Sequence, residues 1–316
     1  MSRCRMTISA AALACIAYCG GTRAAEVCSF SVADIEKNPA GTRVAKVACE
    51  EHALWHKPFI NAQGRIVRLG PMEAERDALA DGVTPAWRRV ASYWRESGLL
   101  DDNADWERSR IASMGDKGRN GASDCAEDIQ NRGQQDWGRK AACRAFLLDV
   151  PWSAVFVSYA MKRAGIADFV LSSSHFHYLR DAARNPGSGP FRLTDPSKEK
   201  PEVGDLICYV REKNAVYGHA ELARYLQGPG RKIDSHCDIV VAADLDGDSK
   251  LYAIGGNVMQ GVTMRKLKLN AEGRLTLPMK RDADAARAFD PRDESTENMN
   301  RQDWAALLKL NRARVR

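Results

Sequence analysis

The stretch Pro151-Trp152-Ser153-Ala154-Val155-Phe156-Val157-Ser158-Tyr159-Ala160-Met161-Lys162-Arg163-Ala164-Gly165 decides how the rest of the chain is read. Residues 153–164 are apolar almost all round, and a helix with apolar residues on every side is one buried in a core. Gly165 supplies a C-terminal stop. Ser153 stands where the helix begins, so its hydroxyl lies near the positive end of the helix dipole and beside backbone N–H groups that have no intrahelical partner. Downstream, Gly204-Asp205 opens a strand over 205–210, and two more strands follow over 236–243 and 250–256, joined by the turn Asp244-Leu245-Asp246-Gly247-Asp248-Ser249. A buried helix followed by a meander of strands is an α+β arrangement, with the helix packed on an antiparallel sheet.

The register of the second hairpin points to chemistry. If Ala243 pairs with Lys250, the numbers of paired residues sum to 493 and His236 faces Asn257. A slip of one residue would place the two on opposite faces. Cross-strand neighbours lie about 5 Å apart, close enough for an amide to orient an imidazole. A serine at a buried helix start, a strand histidine and an orienting side chain have the layout of a nucleophilic triad. The free N–H groups of the helix start are the material of an oxyanion hole. Ser153, His236 and Asn257 are therefore the catalytic candidates. Asp238 shares the face of His236 and can lend it a carboxylate, and Trp152 adjoins the nucleophile. His175 and Tyr178, one turn apart if that segment is helical, are candidates for the lining of a substrate groove, with a solvated helix face as the equal alternative. The plain reading of the same residues is a helix N-cap serine and a buried strand histidine.

The run 151–158, then Gly204-Asp205-Leu206, His236-Cys237-Asp238-Ile239-Val240-Val241 and Ile254-Gly255-Gly256-Asn257 together resemble the bacterial domain of unknown function 2272 family. Through it, the chain resembles the papain-like cell-wall hydrolases of the NlpC and CHAP type. The resemblance covers roughly residues 85–275 and implies a papain-like fold. It also implies a nucleophile at Ser153, a base at His236, an orienting residue at Asn257, and a peptidoglycan peptide amide as substrate. Those relatives carry cysteine where Ser153 stands, and a serine hydroxyl is far harder to deprotonate than a thiol. The expected function is hydrolysis of an amide or ester bond in the cell envelope. The alternatives are an inactive protein that binds a peptide or glycan in the same cleft, and an interaction module that uses the polar excursion over 101–139.

Residues 1–25 read as a secretory signal: Arg3 and Arg5, an apolar run over 6–18, then Thr22-Arg23-Ala24-Ala25. Cys15 and Cys19 allow a lipid anchor as the less favoured reading. No later segment has the length and apolarity of a membrane span. The net charge of the 316-residue chain is +6. Without the leader's three arginines, 44 cations face 41 carboxylates, a net +3 that gives no footprint for nucleic acid. Outside the leader, six of the nine cysteines remain, an even number that suits disulfides in an oxidising compartment. Neighbours in order give Cys28–Cys49, Cys125–Cys143 and Cys208–Cys237, although order alone leaves other pairings open. Closing the loop between Cys125 and Cys143 is worth about 3 kcal/mol. The protein is expected to be periplasmic or secreted.

The remaining organisation is a helical N-terminal extension over 26–83, the papain-like domain over 84–277 with its polar insertion at 101–139, and a polar tail over 278–316. Helices are expected over 44–55, over 71–80, and from Thr84-Pro85 to Gly98, the last with Trp87, Val90, Ala91 and Trp94 on one face. Residues 301–311 read as one peripheral helix. His52 and His56 have a metal-compatible spacing without a third ligand, and Asp244–Asp248 lacks the closing glutamate of a calcium loop and reads as a hairpin turn. No metal and no cofactor are expected.

Overall fold

A computed structural model of the chain describes residues 26–73, 75, 77–100, 124–125, 137–212, 215–276, 292 and 297–314. The expected leader, most of the polar insertion and most of 277–296 lie outside the described residues. The architecture is mixed α+β, with seven helices and one eight-stranded sheet among the described residues.

The N-terminal helices are α1 (Val32–Lys37) and α2 (Pro39–Leu54). The short strands β1 (Phe59–Ile60) and β2 (Ile66–Arg68) follow, and then α3 (Ala86–Ser97). The middle of the chain forms α4 (Trp137–Asp149), α5 (Ser153–Arg163), α6 (His175–Arg184), β3 (Phe191–Thr194), β4 (Leu206–Val210) and α7 (Gly218–Gln227). The meander is β5 (Ser235–Ala243), β6 (Lys250–Val258) and β7 (Gly261–Lys268), and β8 (Asp303–Leu310) comes last. The strands lie in the order β2-β1-β7-β6-β5-β4-β8-β3.

Helix α5 is the centre of the core. Every residue from Ser153 to Met161 is buried, and the helix packs on α3, β6 and β5. Its apolar surface has no polar stripe to offer water, so surrounding it with other elements removes the most apolar area. Gly165 closes the helix at φ +69°, as Gly98 closes α3 at φ +81°.

The N-terminal extension belongs to the same core. Asn38 caps α2 by accepting from Gly41 N–H (3.1 Å) and donates to Val203 O (2.8 Å). At this crossing Gly41 and Gly204 touch backbone to backbone: a Cβ on Gly204 would lie 2.3 Å from Gly41 Cα. Glycine at both positions lets α2 press against the turn that opens β4. The three neighbour-in-order disulfides are formed, Cys28–Cys49, Cys125–Cys143 and Cys208–Cys237. The last joins residues directly opposite each other in β4 and β5.

Two expected elements are replaced by others. The described residues of 71–80 form no helix. They make a strap in which Glu73 N–H donates to Gln260 O (2.8 Å), Ala80 N–H donates to Leu54 O (2.9 Å), and Ala78 bridges Pro85. The expected helix over 301–311, and with it a polar tail starting at 278, gives way to β8, a strand buried along its whole length between β4 and β3. Ala, Leu and Lys favour helix locally. Pairing on both edges of this segment outweighs that preference, because an open slot in a buried sheet would leave two rows of backbone groups unsatisfied.

No single described helix is long and apolar enough to cross a membrane. The bent pair α4–α5 passes only when the two are joined across a 97° break, and α5 is a core helix.

Candidate active site

Ser153 is the first residue of α5, and its N-cap Trp152 contributes no side-chain cap. The N–H groups of the first turn therefore remain available as donors. A serine-rich loop then brings a histidine to Ser153. Ser158 of α5 donates to Ser172 O and accepts from Ser172 N–H, both at 2.9 Å. Ser172 Oγ in turn accepts from Ser174 N–H (2.9 Å) and pairs with His177 Nδ1 (2.9 Å). These bonds tie the start of α6 to α5 and set His175 Nε2 at 2.7 Å from Ser153 Oγ. One turn along α6, the Tyr178 hydroxyl bonds His175 Nδ1. With Nδ1–H directed at Tyr178, Nε2 is left to accept the Ser153 proton, the tautomer a general base requires. Burial, reinforced by the neighbouring His236, Arg211 and Lys232, holds His175 well below the usual imidazole range. It is a neutral acceptor at neutral pH.

His236 lies beside this pair, its ring centroid 5.0 Å from that of His175 and 5.2 Å from that of Tyr209. Its Nε2 donates to Asp238 Oδ1 (2.8 Å), and Asp238 Oδ2 accepts from Arg265 Nε (3.1 Å). Arg265 donates further to Met299 O (2.7 Å) and Asn300 Oδ1 (3.0 Å). Burial alone would raise the Asp238 carboxyl, but His236 and Arg265 more than offset it and the group lies below its ordinary value. Gly255 covers this pair: a Cβ there would stand 1.9 Å from Asp238 Oδ1 and 3.0 Å from His236 Nε2.

The expected register holds in the middle of the hairpin and fails at both ends, including the Ala243–Lys250 pair from which it was counted. Ile239 faces Ile254 and Val240 faces Ala253, both summing to 493, but a bulge shifts the turn side to Ala242–Tyr252 and Ala243–Leu251. At the other end a second irregularity lies between Gly255 and Val258. There Asn257 takes the left-handed conformation at φ +54° and turns away from His236. With its amide oriented by the donors and acceptors around it, Asn257 donates to Glu73 Oε2 (3.1 Å) and accepts from Trp152 N–H (3.3 Å). The expected Ser153–His236–Asn257 relay is therefore not the hydrogen-bonded set. Ser153 bonds His175, His236 bonds Asp238, and Asn257 bonds Glu73 and Trp152.

Trp152 stacks on Trp55 at 5.8 Å and lies 5.7 Å from Tyr93, and its indole N–H also donates to Glu73. Ser153, His175, His236 and Asp238 are all buried, at 6%, 3%, 2% and 1% exposure. His175, expected along a groove, instead meets the serine hydroxyl, and Tyr178 bonds its other ring nitrogen. Asp238 supports His236 as its strand position implied.

Arg265 and Glu73 are not among the residues expected from the sequence. Arg265 was detectable in principle, since Thr263, Arg265 and Leu267 alternate onto one face of β7 and a buried arginine requires a carboxylate. Glu73 offered no such signal, because the strap has no period. Away from the site, His52 bonds Pro58 O (2.9 Å), and burial drops its imidazole to about 4. No group of three His, Cys, Asp or Glu side chains arranged for a metal occurs among the described residues.

A family model described as an uncharacterized protein conserved in bacteria (DUF2272) matches residues 81–310. The match takes in Ser153, His175, His236, Asp238, Asn257 and Arg265, and leaves Glu73 outside. No curated protein and no solved structure matches the chain.

Proposed function

This chain belongs to the bacterial family DUF2272, and from that premise we propose that it is an exported hydrolase that cleaves an amide or ester bond of the cell envelope through Ser153. The observation that carries the reading is the 2.7 Å contact between Ser153 Oγ and His175 Nε2 at the start of a buried helix. A serine hydroxyl is a weak nucleophile until a base takes its proton. His175, neutral and aimed at it, is placed to do so.

As Oγ attacks the substrate carbonyl carbon, the hydroxyl proton passes to His175 Nε2 and the carbonyl oxygen becomes an oxyanion. The N–H groups at the start of α5 receive that charge. His175 then returns the proton to the leaving nitrogen or oxygen, and an acyl-Ser153 remains. Water, deprotonated by the same imidazole, releases the acid and restores the serine. His236, held by Asp238 and Arg265, backs the His175 ring. The base role thus falls to His175 rather than to His236, whose Nε2 proton is committed to Asp238.

A helix that carries the nucleophile and packs on an antiparallel sheet supports a papain-like architecture with serine at the cysteine position. The NlpC and CHAP resemblance makes a peptidoglycan peptide amide the preferred substrate. Three disulfides favour an oxidising, extracytoplasmic location. A second reading, a catalytically inactive protein that binds a peptide or glycan, draws on the 6% exposure of Ser153, which leaves its hydroxyl little open surface.

The test combines labelling by a fluorophosphonate probe with turnover of purified sacculi and model esters. Hydrolysis predicts both, and predicts their loss in Ser153→Ala. An unlabelled wild-type protein that binds sacculi without cleaving them establishes the second reading.

A further inference from the structure

The strap that carries Glu73 lies outside the segment matched by the family model, yet its carboxylate reaches the residue next to the nucleophile. We propose that Glu73 is a positioning residue for Ser153: it closes a ring of hydrogen bonds that fixes the backbone leading into α5. The inference rests on the hydrolase reading above and adds a residue to it.

The ring has three members. Glu73 Oε2 accepts from the Trp152 indole N–H and from the Asn257 amide, and Asn257 accepts from Trp152 N–H. Trp152 is the N-cap of α5, and the peptide it shares with Ser153 supplies the first N–H of the proposed oxyanion site. The strap is itself pinned, because Glu73 N–H donates to Gln260 O (2.8 Å) at the tip of the β6–β7 hairpin. That tip is strained, with Asn257, Met259 and Gln260 all at φ between +54° and +58°. Non-glycine residues hold such angles only where their surroundings over-determine them.

Packing alone does not account for Glu73. The residue is 3% exposed, and an apolar side chain would fill the space without the cost of desolvating a carboxyl. Burial pushes its carboxyl up to about 7, opposed by the Trp152 N–H. A group so costly to bury, spending one oxygen on the Trp152 indole and on the amide that holds Trp152 N–H, fits a role in setting geometry.

The experiment measures fluorophosphonate labelling of Ser153 over a range of probe concentrations, in the full chain and below the melting temperature, so that kinact and KI separate. A small displacement of the reacting groups costs up to about 100-fold in rate. We therefore expect Glu73→Ala to lower kinact by about 10- to 100-fold with KI unchanged. Glu73→Gln, which keeps an acceptor oxygen, is expected to recover most of the rate. A purely structural role would lower the melting temperature of Glu73→Ala while its folded fraction labels at the wild-type kinact, and that result overturns the proposal. If Glu73→Ala does not fold, Asn257→Gly opens the same ring while relieving the backbone angle, and labelling at the wild-type rate in that variant likewise overturns it. The hydrolase reading fails separately, by an unlabelled wild-type protein, and the positioning role falls with it.

Discussion

His175 and His236 sit side by side, 5.0 Å between ring centroids, in opposite surroundings. His175 has only hydroxyls on its two nitrogens, Ser153 on one side and Tyr178 on the other. His236 donates to a carboxylate that is itself held by a buried guanidinium. An imidazole among hydroxyls in a dry site stays neutral and free to exchange its proton. An imidazole locked to an ion pair has its proton committed and serves as a fixed wall. Environment, rather than residue type, separates the two roles.

The largest expected effect is at His175. His175→Gln should lower turnover and Ser153 labelling by about 10²- to 10⁴-fold, the usual contribution of a positioned general base. The comparison breaks if His236→Gln gives that loss and His175→Gln does not. Next comes Asp238→Ala, which strands the Arg265 guanidinium at 2% exposure. Leaving a buried charge without its partner costs about 3–5 kcal/mol, to be read from urea denaturation. The same variant should lower activity less than His175→Gln does, once compared at equal folded fraction.

Tyr178→Phe removes the partner of His175 Nδ1 and should cost about 1 kcal/mol in barrier, a several-fold fall in kcat with the fold intact. The mildest test is pH. Because His175 titrates well below 6.5, the rate of Ser153 acylation should show no acid limb from His175 between pH 8 and 6.5. As pH drops below about 6.5 the depressed imidazoles of His175 and His52 lower stability, His52 until about 4, while the raised carboxyls of Glu73, at about 7, and Asp205, at about 6, act the other way. The His52 share is therefore read as the difference in melting temperature between wild type and His52→Gln, which should shrink over that interval. A difference that grows as pH falls would contradict the burial of His52.

Much of the frame was legible because it rests on local pattern. The all-round apolar run of α5 and the strands β4 to β6 follow from period and turn residues, and the cysteine pairs match neighbour order, which by itself left other pairings open. Of the site, the place of Ser153 at a buried helix start and of Asp238 beside His236 was legible. The hydrogen-bond partners of Ser153 and of Asn257 were not, for physical reasons. An ideal two-residue alternation carried to Asn257 takes no account of irregularities, and one lies between Gly255 and Val258, where Asn257 takes a left-handed conformation. His175 was noticed as a helix residue near a groove, but its approach to Ser153 depends on the Ser158–Ser172 bonds, contacts between segments that no local pattern records. β8 was hidden for the same kind of reason, since its residues favour helix until two strands offer it their edges.

By itself the amino-acid order determined which segments must be buried, where a serine meets free backbone donors, and which thiols lie near enough along the chain to pair. Tertiary structure alone decided which histidine meets that serine, where Asn257 turns, and that a strap from the N-terminal extension reaches Trp152. Burial is written in the period of apolar residues, which each segment carries within itself. Partner choice among polar groups depends on where distant segments come to rest, and that is set by the packing of the whole core.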